Sequence, residues 1–333
     1  MQKTGIYYSM SYKQFEYTKD NHWRFGYRGE GYNGRPRLWR INDQEKFWAD
    51  YGRCERKPGT LKEEAINACR LIYDSTDLPI TVMYSGGLDS EFVVAAFKES
   101  GVPFDVLIAR YLNDVNIYDV SHAVIFCENH NIKYKIVDID LHKFLEDEIY
   151  KIAEFSRPVS SRWTPQMKIA QYVDGLPVMG GGDTHCVKKG IPEDYEPGVS
   201  EYPIGTKWYL QEYESETSWD RYMRYIDRPA VVRWFQYTPE LMLAYLNDPV
   251  MYELVEDKRI GKLSNWSSKV EILQHAFPFL QPRIKKHGME GIDDLFHQLN
   301  LDYFYRVNKS WCDIYEVEYY EMLQKLGNDD YRD

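Results

Sequence analysis

The hexapeptide Ser85-Gly86-Gly87-Leu88-Asp89-Ser90 gathers residue types that together handle an anion. Two adjacent glycines let the backbone turn tightly, so that its N–H groups converge on one point. The serines at either end add hydroxyl donors. The run 79–84 before the turn is short and apolar, and 89–99 after it has helical spacing. The turn therefore opens onto a helix N-terminus, with unused N–H groups and a partial positive charge. Phosphate is the anion that suits such a cradle. An aspartate there makes sense beside a cation, so Asp89 reads as a Mg²⁺ ligand for the same phosphates. The plainer reading is a tight turn with Asp89 as a helix-start carboxylate.

Other residues could act on the same ligand. Val178-Met179-Gly180-Gly181-Gly182-Asp183 is a strand end running into three glycines, where Gly181 and Gly182 permit close backbone approach. Asp183 would face the same sheet edge as Asp89, contacting metal or phosphate, or else cap the next turn. Lys269 falls in the first turn of a helix predicted from Ser268 and Glu271. A positive charge there opposes the helix dipole, which favours a role in neutralising phosphate charge over that of a solvated lysine. Lys262 is the second candidate. The basic run Arg283, Lys285, Lys286 and His287 reads as a solvated face, with closure over a triphosphate the lesser reading. His185 and Cys186 have no partner spacing for a metal.

The elements that must position these residues follow from periodicity. Thr60 and Glu63 form a capping box for a helix over 60–73, with Leu61, Ala65, Cys69 and Ile72 on one face. From residue 79 the pattern alternates strand and helix. Strands are predicted at 79–84, 104–109, 134–137 and 176–179, and helices at 89–99, 117–129 and 165–173. Such alternation gives a parallel sheet covered on both faces. After residue 200 the chain reads as helical and irregular, with a helix opening at Thr238-Pro239 and a docked helix in 300–333. Residues 24–37 alternate bulky and small types. They read as a twisted hairpin with glycine turns, or alternatively as an Arg/Tyr surface for a nucleic acid.

Composition narrows the class. The 333 residues allow two domains, and 44% hydrophobic with 28% charged residues excludes wholesale disorder. The net charge of −11 argues against a general binder of nucleic acid or anionic membrane. Five cysteines without a CxxC pair argue against a ribbon-type zinc site or a cysteine-ligated cluster, and point to reduced thiols. The apolar runs fall far below a membrane span, and no signal peptide is evident, so a cytoplasmic protein is expected. Aromatic residues are abundant at 16%.

The hexapeptide resembles the PP-loop of the N-type ATP pyrophosphatases, and no Walker-type loop is found. The resemblance covers about residues 75–290 and points to the asparagine synthetase branch. Residues 104–109 look like that branch's second strand, which lines the adenine side at Ala109. Asp119 and Ala123 match positions on its next helix. Trp163-Thr164-Pro165-Gln166-Met167 looks like its TPMY stretch, and 178–183 its Gly-rich strand end. Residues 237–241 echo its PFLD segment, and 268–273 resemble the segment with its catalytic lysine, which falls on Lys269. Two departures stand out. The family's aspartate stands one residue later than Asp183, and Thr184-His185 replaces the acidic residue after it. The glutaminase cysteine is missing and 58 residues are too few for that domain.

The resemblance implies a doubly wound, mostly parallel α/β sheet of the adenine nucleotide alpha hydrolase-like (HUP) type. Residues 1–58 would be a β-rich segment, 59–200 the core, and 201–333 a helical extension completing the site. ATP would be bound by Ser85, Gly86, Gly87, Leu88, Asp89, Ser90, Ala109, Gly181 and Gly182. Mg²⁺ would be held by Asp89 and Asp183, with Lys269 and Asp89 catalytic. Arg157, Ser160, Ser161, Arg162 and Thr164 stand where an acceptor pocket would be lined, Arg162 suiting a carboxylate, or else Arg162 is a surface ion-pair residue. The implied reaction forms AMP and pyrophosphate: an acceptor, a carboxylate above all, is adenylated and then attacked by an amine or ammonia. A nucleobase-modifying enzyme acting on tRNA or DNA, and a catalytically silent nucleotide-binding or assembly protein, are the alternatives.

Overall fold

A computed structural model describes residues 24–27, 37–40, 42, 44–183, 185–190, 205–256, 265–282, 292–305 and 313–327. Lys262, the basic run 283–287 and residues 28–36 of the Arg/Tyr-rich stretch 24–37 lie outside the described residues. Strands β1 (Arg24–Tyr27) and β2 (Phe47–Asp50) pair antiparallel, so the strand beside β1 lies beyond the 24–37 stretch, within which the one bridge among the described residues is Tyr27 with Arg37. Helix α1 (Leu61–Asp74) begins at the expected capping box, with the Thr60 hydroxyl accepting from Glu63 N–H and Glu63 accepting from Thr60 N–H. Its predicted apolar face is buried throughout.

The core alternates strand and helix: β3 (Ile80–Met83), α2 (Leu88–Ser100), β4 (Asp105–Tyr111), α3 (Ile117–Asn129) and β5 (Tyr134–Ile139). Then follow α4 (Leu141–Asp147), α5 (Ile149–Ser156), α6 (Thr164–Ala170) and β6 (Leu176–Val178). The four strands form one parallel sheet in the order β5-β4-β3-β6. Alternate residues serve two cores. Ile80, Val82, Val106 and Ile108 join the cluster with α1, α2 and α3, while Leu107 and Val137 join that with α4, α5 and α6. Helices thus cover both faces, and α2, apolar nearly all round, is buried.

From β3 the chain winds outward to β4 and β5, then returns to place β6 on β3's other side. This reversal is a topological switch point, and ligands bind in the crevice beyond the strand ends there. The two loops at that crevice are 84–87, after β3, and 179–183, after β6.

The C-terminal part is mainly helical, as expected, and also contributes strands to a sheet. Strands β7 (His185–Lys189), β8 (Lys207–Tyr213) and β9 (Ile314–Glu318) form an antiparallel sheet joining residues from either side of position 200. β8 does alternate buried and half-exposed residues, but one of its inward residues is Glu212, which disguises the pattern. Helices α7 (Ser218–Tyr225), α8 (Pro239–Leu246), α9 (Pro249–Glu256), α10 (Asn265–Ala276), α11 (Asp293–Leu299) and α12 (Tyr319–Leu326) complete this region. Thr238 caps α8 through Leu241 N–H, as expected. Helix α10 starts before Ser268, which is buried rather than capping, so Lys269 lies in the second turn. No helix among the described residues is long and apolar enough to cross a membrane.

Candidate active site

Tyr84 extends β3 by one bond, donating its N–H to Leu107 O at 2.9 Å, and the chain then turns. Gly86 has φ +73°, and a side-chain carbon there would collide with the Asp119 carbonyl oxygen. Gly87 is the N-cap of α2 and supplies no side chain to cap it. The first N–H groups of α2 therefore have no side-chain cap, and the helix end carries positive potential where an anion would meet it. The serines do something other than expected. Ser90 Oγ accepts from Ser85 N–H (3.2 Å) and donates to Gly87 O (2.9 Å), and Ser85 Oγ lies 3.0 Å from it. The two hydroxyls brace the loop from within, Ser85 Oγ also accepting from Gly87 N–H at 3.4 Å, so the donors offered to an anion are those at the start of α2.

The second loop lies against the first. A carbon on Gly180 would stand 2.9 Å from both Asp89 C and Ser90 N, and one on Gly181 would strike Val232 O. Small residues here let the β6 loop reach the start of α2. Asp183 thereby comes to the same point as Asp89. Lys269, from α10, joins them: its Nζ is 2.6 Å from Asp89 Oδ1 and 2.7 Å from Asp183 Oδ2. Burial alone would lower the lysine pKa, but the two carboxylates outweigh it and hold the ammonium above its ordinary value. The sequence-selected trio thus meets at one place.

A cavity of about 710 Å³ opens over these loops. It is lined by all of the hexapeptide except Gly86, by Gly180 to Asp183 and by Ala109. At the β4 side Asn116 clips the strand end, its Nδ2 donating to Ala109 O (2.9 Å) and its Oδ1 accepting from Tyr111 N–H (2.8 Å). Arg162 lines the cavity and is ion-paired to Asp293. Thr164 does not face it: the side chain is fully buried and its hydroxyl donates to Ser161 O at 2.7 Å. Ser161 is likewise spent on Asn300 and Phe296.

One further stretch of the cavity lining, packed against Gly182, is absent from the sequence expectations. Glu216, Trp219 and Arg233 form it. Arg233 is buried and paired with Glu212, with Glu216 at 3.2 Å and with Asp220 at 3.7 Å, and its guanidinium lies 5.2 Å from the Phe25 ring centre. Glu212 also accepts from Gln236 at 3.0 Å and from Tyr51 at 3.5 Å. Burial pushes the Asp220 carboxyl up to about 6 against the pull of Arg233. Burial raises Glu212 as well, while the three carboxylates keep Arg233 charged despite its burial. The available signal was a lone arginine within the apolar run 230–235. Its partners Glu212, Glu216 and Asp220 stand four residues apart just upstream, but they lie on β8, the turn after it and α7, so no single element's periodicity ties them to one another.

Among the described residues no three His, Cys, Asp or Glu side chains are gathered to hold a metal. Two carboxylates meeting at one cation nevertheless fit Mg²⁺, which commonly takes one or two protein carboxylates and draws its other ligands from phosphates and water. Asp89 and Asp183 are that pair.

No protein-family model matches the sequence, and no curated protein matches it. Solved structures similar to parts of the chain include the following three. NH3-dependent NAD synthetase from Campylobacter jejuni shares 15% identity at a TM-score of 0.27, over 35% of this chain and 54% of that one. NMN synthetase from Francisella tularensis shares 15% at 0.29, over 65% and 91%. A U34-tRNA thiolase from Methanococcus maripaludis, with its 4Fe-4S cluster, shares 14% at 0.28, over 75% and 78%. The chain spans about half the length of the NAD synthetase it matches. At these identities and TM-scores the likenesses bear on neither substrate nor reaction.

Proposed function

We propose that this protein is a PP-loop ATP pyrophosphatase of the asparagine synthetase-like kind, a synthetase that adenylates an acceptor and forms AMP and pyrophosphate. One observation carries the reading. The α2 N-terminus, which has no side-chain cap, meets Asp89, Asp183 and Lys269 at the switch point of a parallel sheet, over a cavity of about 710 Å³. That volume lies within the range of small-molecule sites, about 300–1,000 Å³.

The N–H groups at the start of α2 would bind the phosphates to be released. Ala109 would stand beside the base. Asp89 and Asp183 would hold Mg²⁺, which would offset phosphate charge. The acceptor oxygen attacks the α-phosphorus and forms a P–O bond. The bond to the α–β bridging oxygen breaks, and pyrophosphate leaves with that electron pair. The ammonium of Lys269 would stabilise the charge that develops. An amine or ammonia then attacks the activated carbon and AMP departs. Catalysis would rest on positioning and electrostatics. Arg162, Glu216, Trp219 and Arg233, which all line the cavity, would border the acceptor and amine. The reading is tested by exchange of labelled pyrophosphate into ATP, screened over carboxylates and nucleosides. Exchange with one acceptor class, lost in Asp89→Ala, is expected. ATP binding without exchange over a broad panel would contradict it.

A further inference from the structure

The position of one ammonium carries a consequence for how the site is loaded. Lys269 Nζ touches Asp89 and Asp183 at 2.6 and 2.7 Å, and its side chain is 13% exposed, against 34% and 39% for the carboxylates. The three groups come from three separate elements: the start of α2, the loop after β6, and the second turn of α10. The point shared by two facing carboxylates is also where a divalent cation would sit. A cation already stands there, and the chain supplies it.

We propose that Lys269 is a resident cation that keeps divalent metal out of the nucleotide-free site. In that state the ammonium offsets the repulsion between two carboxylates held close together. A free divalent ion would have to displace it, leaving a buried ammonium without partners, which is costly. Incoming phosphates at the α2 N-terminus change this. They offer Lys269 new oxygens, so it can release the carboxylates while keeping an anionic partner. The carboxylate pair then becomes available to metal only when nucleotide is present. Lysine suits the exchange, because its ammonium is a compact charge with rotatable donors on a flexible stem. The inference deepens, and rests on, the reading of this site as one for a metal–nucleotide complex.

The test uses the full chain without nucleotide and Mn²⁺ as the probe, with free Mn²⁺ read by electron paramagnetic resonance. Lys269→Met is expected to bind one equivalent of Mn²⁺ about tenfold more tightly than the unsubstituted protein, or better still. Lys269→Arg, which keeps a cation in place, should bind as weakly as the unsubstituted protein. Adding Asp89→Asn to Lys269→Met should abolish the gain. Equal binding by the unsubstituted and Lys269→Met proteins, whether tight or absent, would overturn the proposal. Thermal melting of each variant with and without Mn²⁺ checks folding. If Lys269→Met melts too low, Lys269→Gln replaces it. If neither folds, tight one-equivalent Mn²⁺ binding by the unsubstituted protein alone overturns the proposal, and its absence there with binding on adding ATP supports it. These nucleotide-free arms are independent of the ATP reading, which fails separately if ATP itself does not bind.

Discussion

At Gly86 the backbone turns through φ +73° with the Asp119 carbonyl oxygen where a Cβ would stand, so torsion and space both call for glycine. Gly86→Ala is expected to cost about 1–3 kcal/mol in urea unfolding and to weaken nucleotide binding, because the loop must move to relieve the clash. Unchanged stability and binding would show that the loop is not held as described. The residue scale was the most legible. Asp89, Asp183 and Lys269 were each selectable from a turn or a charge in an unfavoured place, and they meet within 2.7 Å. The helix start predicted at Ser268 is not where α10 begins. Ser268 has the chemistry of a cap, yet it is buried inside α10. Thr164 also stood in a suggestive position, but its hydroxyl is consumed by the local backbone.

Elements are tied to the site by Glu91, one turn into α2. Its buried carboxylate accepts from Tyr84 Oη at 2.6 Å, lies 2.6 Å from His122 Nε2 on α3, and accepts from Gln281 N–H at 3.2 Å, beyond the end of α10. One side chain thus links the strand before the loop, the helix after it, and the segment that follows the lysine-bearing helix. Glu91→Ala strands these partners and is expected to cost about 3 kcal/mol in chemical denaturation. A loss below about 1 kcal/mol would mean that solvent readily replaces the carboxylate. The strand–helix alternation that builds this region was readable because β3 and the middle of β4 are apolar runs and α1 has a full capping box. The antiparallel sheet β7-β8-β9 was not readable. Its central strand turns Glu212 inward, and its third strand arrives from residues 314–318.

On the scale of the whole molecule, Glu212, Glu216, Asp220 and Arg233 bind the N-terminal hairpin to the cavity wall, with Phe25 against the guanidinium and Tyr51 on Glu212. Part of the aromatic excess is thus used to seat the N-terminal segment, which no local pattern could show. Because the folded Asp220 carboxyl titrates at about 6, above its ordinary value of 3.8, the folded state holds this proton more tightly than the unfolded chain. Its contribution to stability is full below the ordinary value and is lost as pH rises through about 6. Going from pH 7 to pH 5, this group should add about 1 kcal/mol, a gain absent from Asp220→Asn in paired denaturation curves. A parallel response in both proteins would place the titration elsewhere. The central claim concerns the bond that the assembled site cleaves. It is tested most directly by ³¹P NMR of ATP and Mg²⁺ incubated with the protein and the acceptor that supports pyrophosphate exchange. AMP and pyrophosphate in equal amounts are the expected products, and ADP with inorganic phosphate would contradict the account.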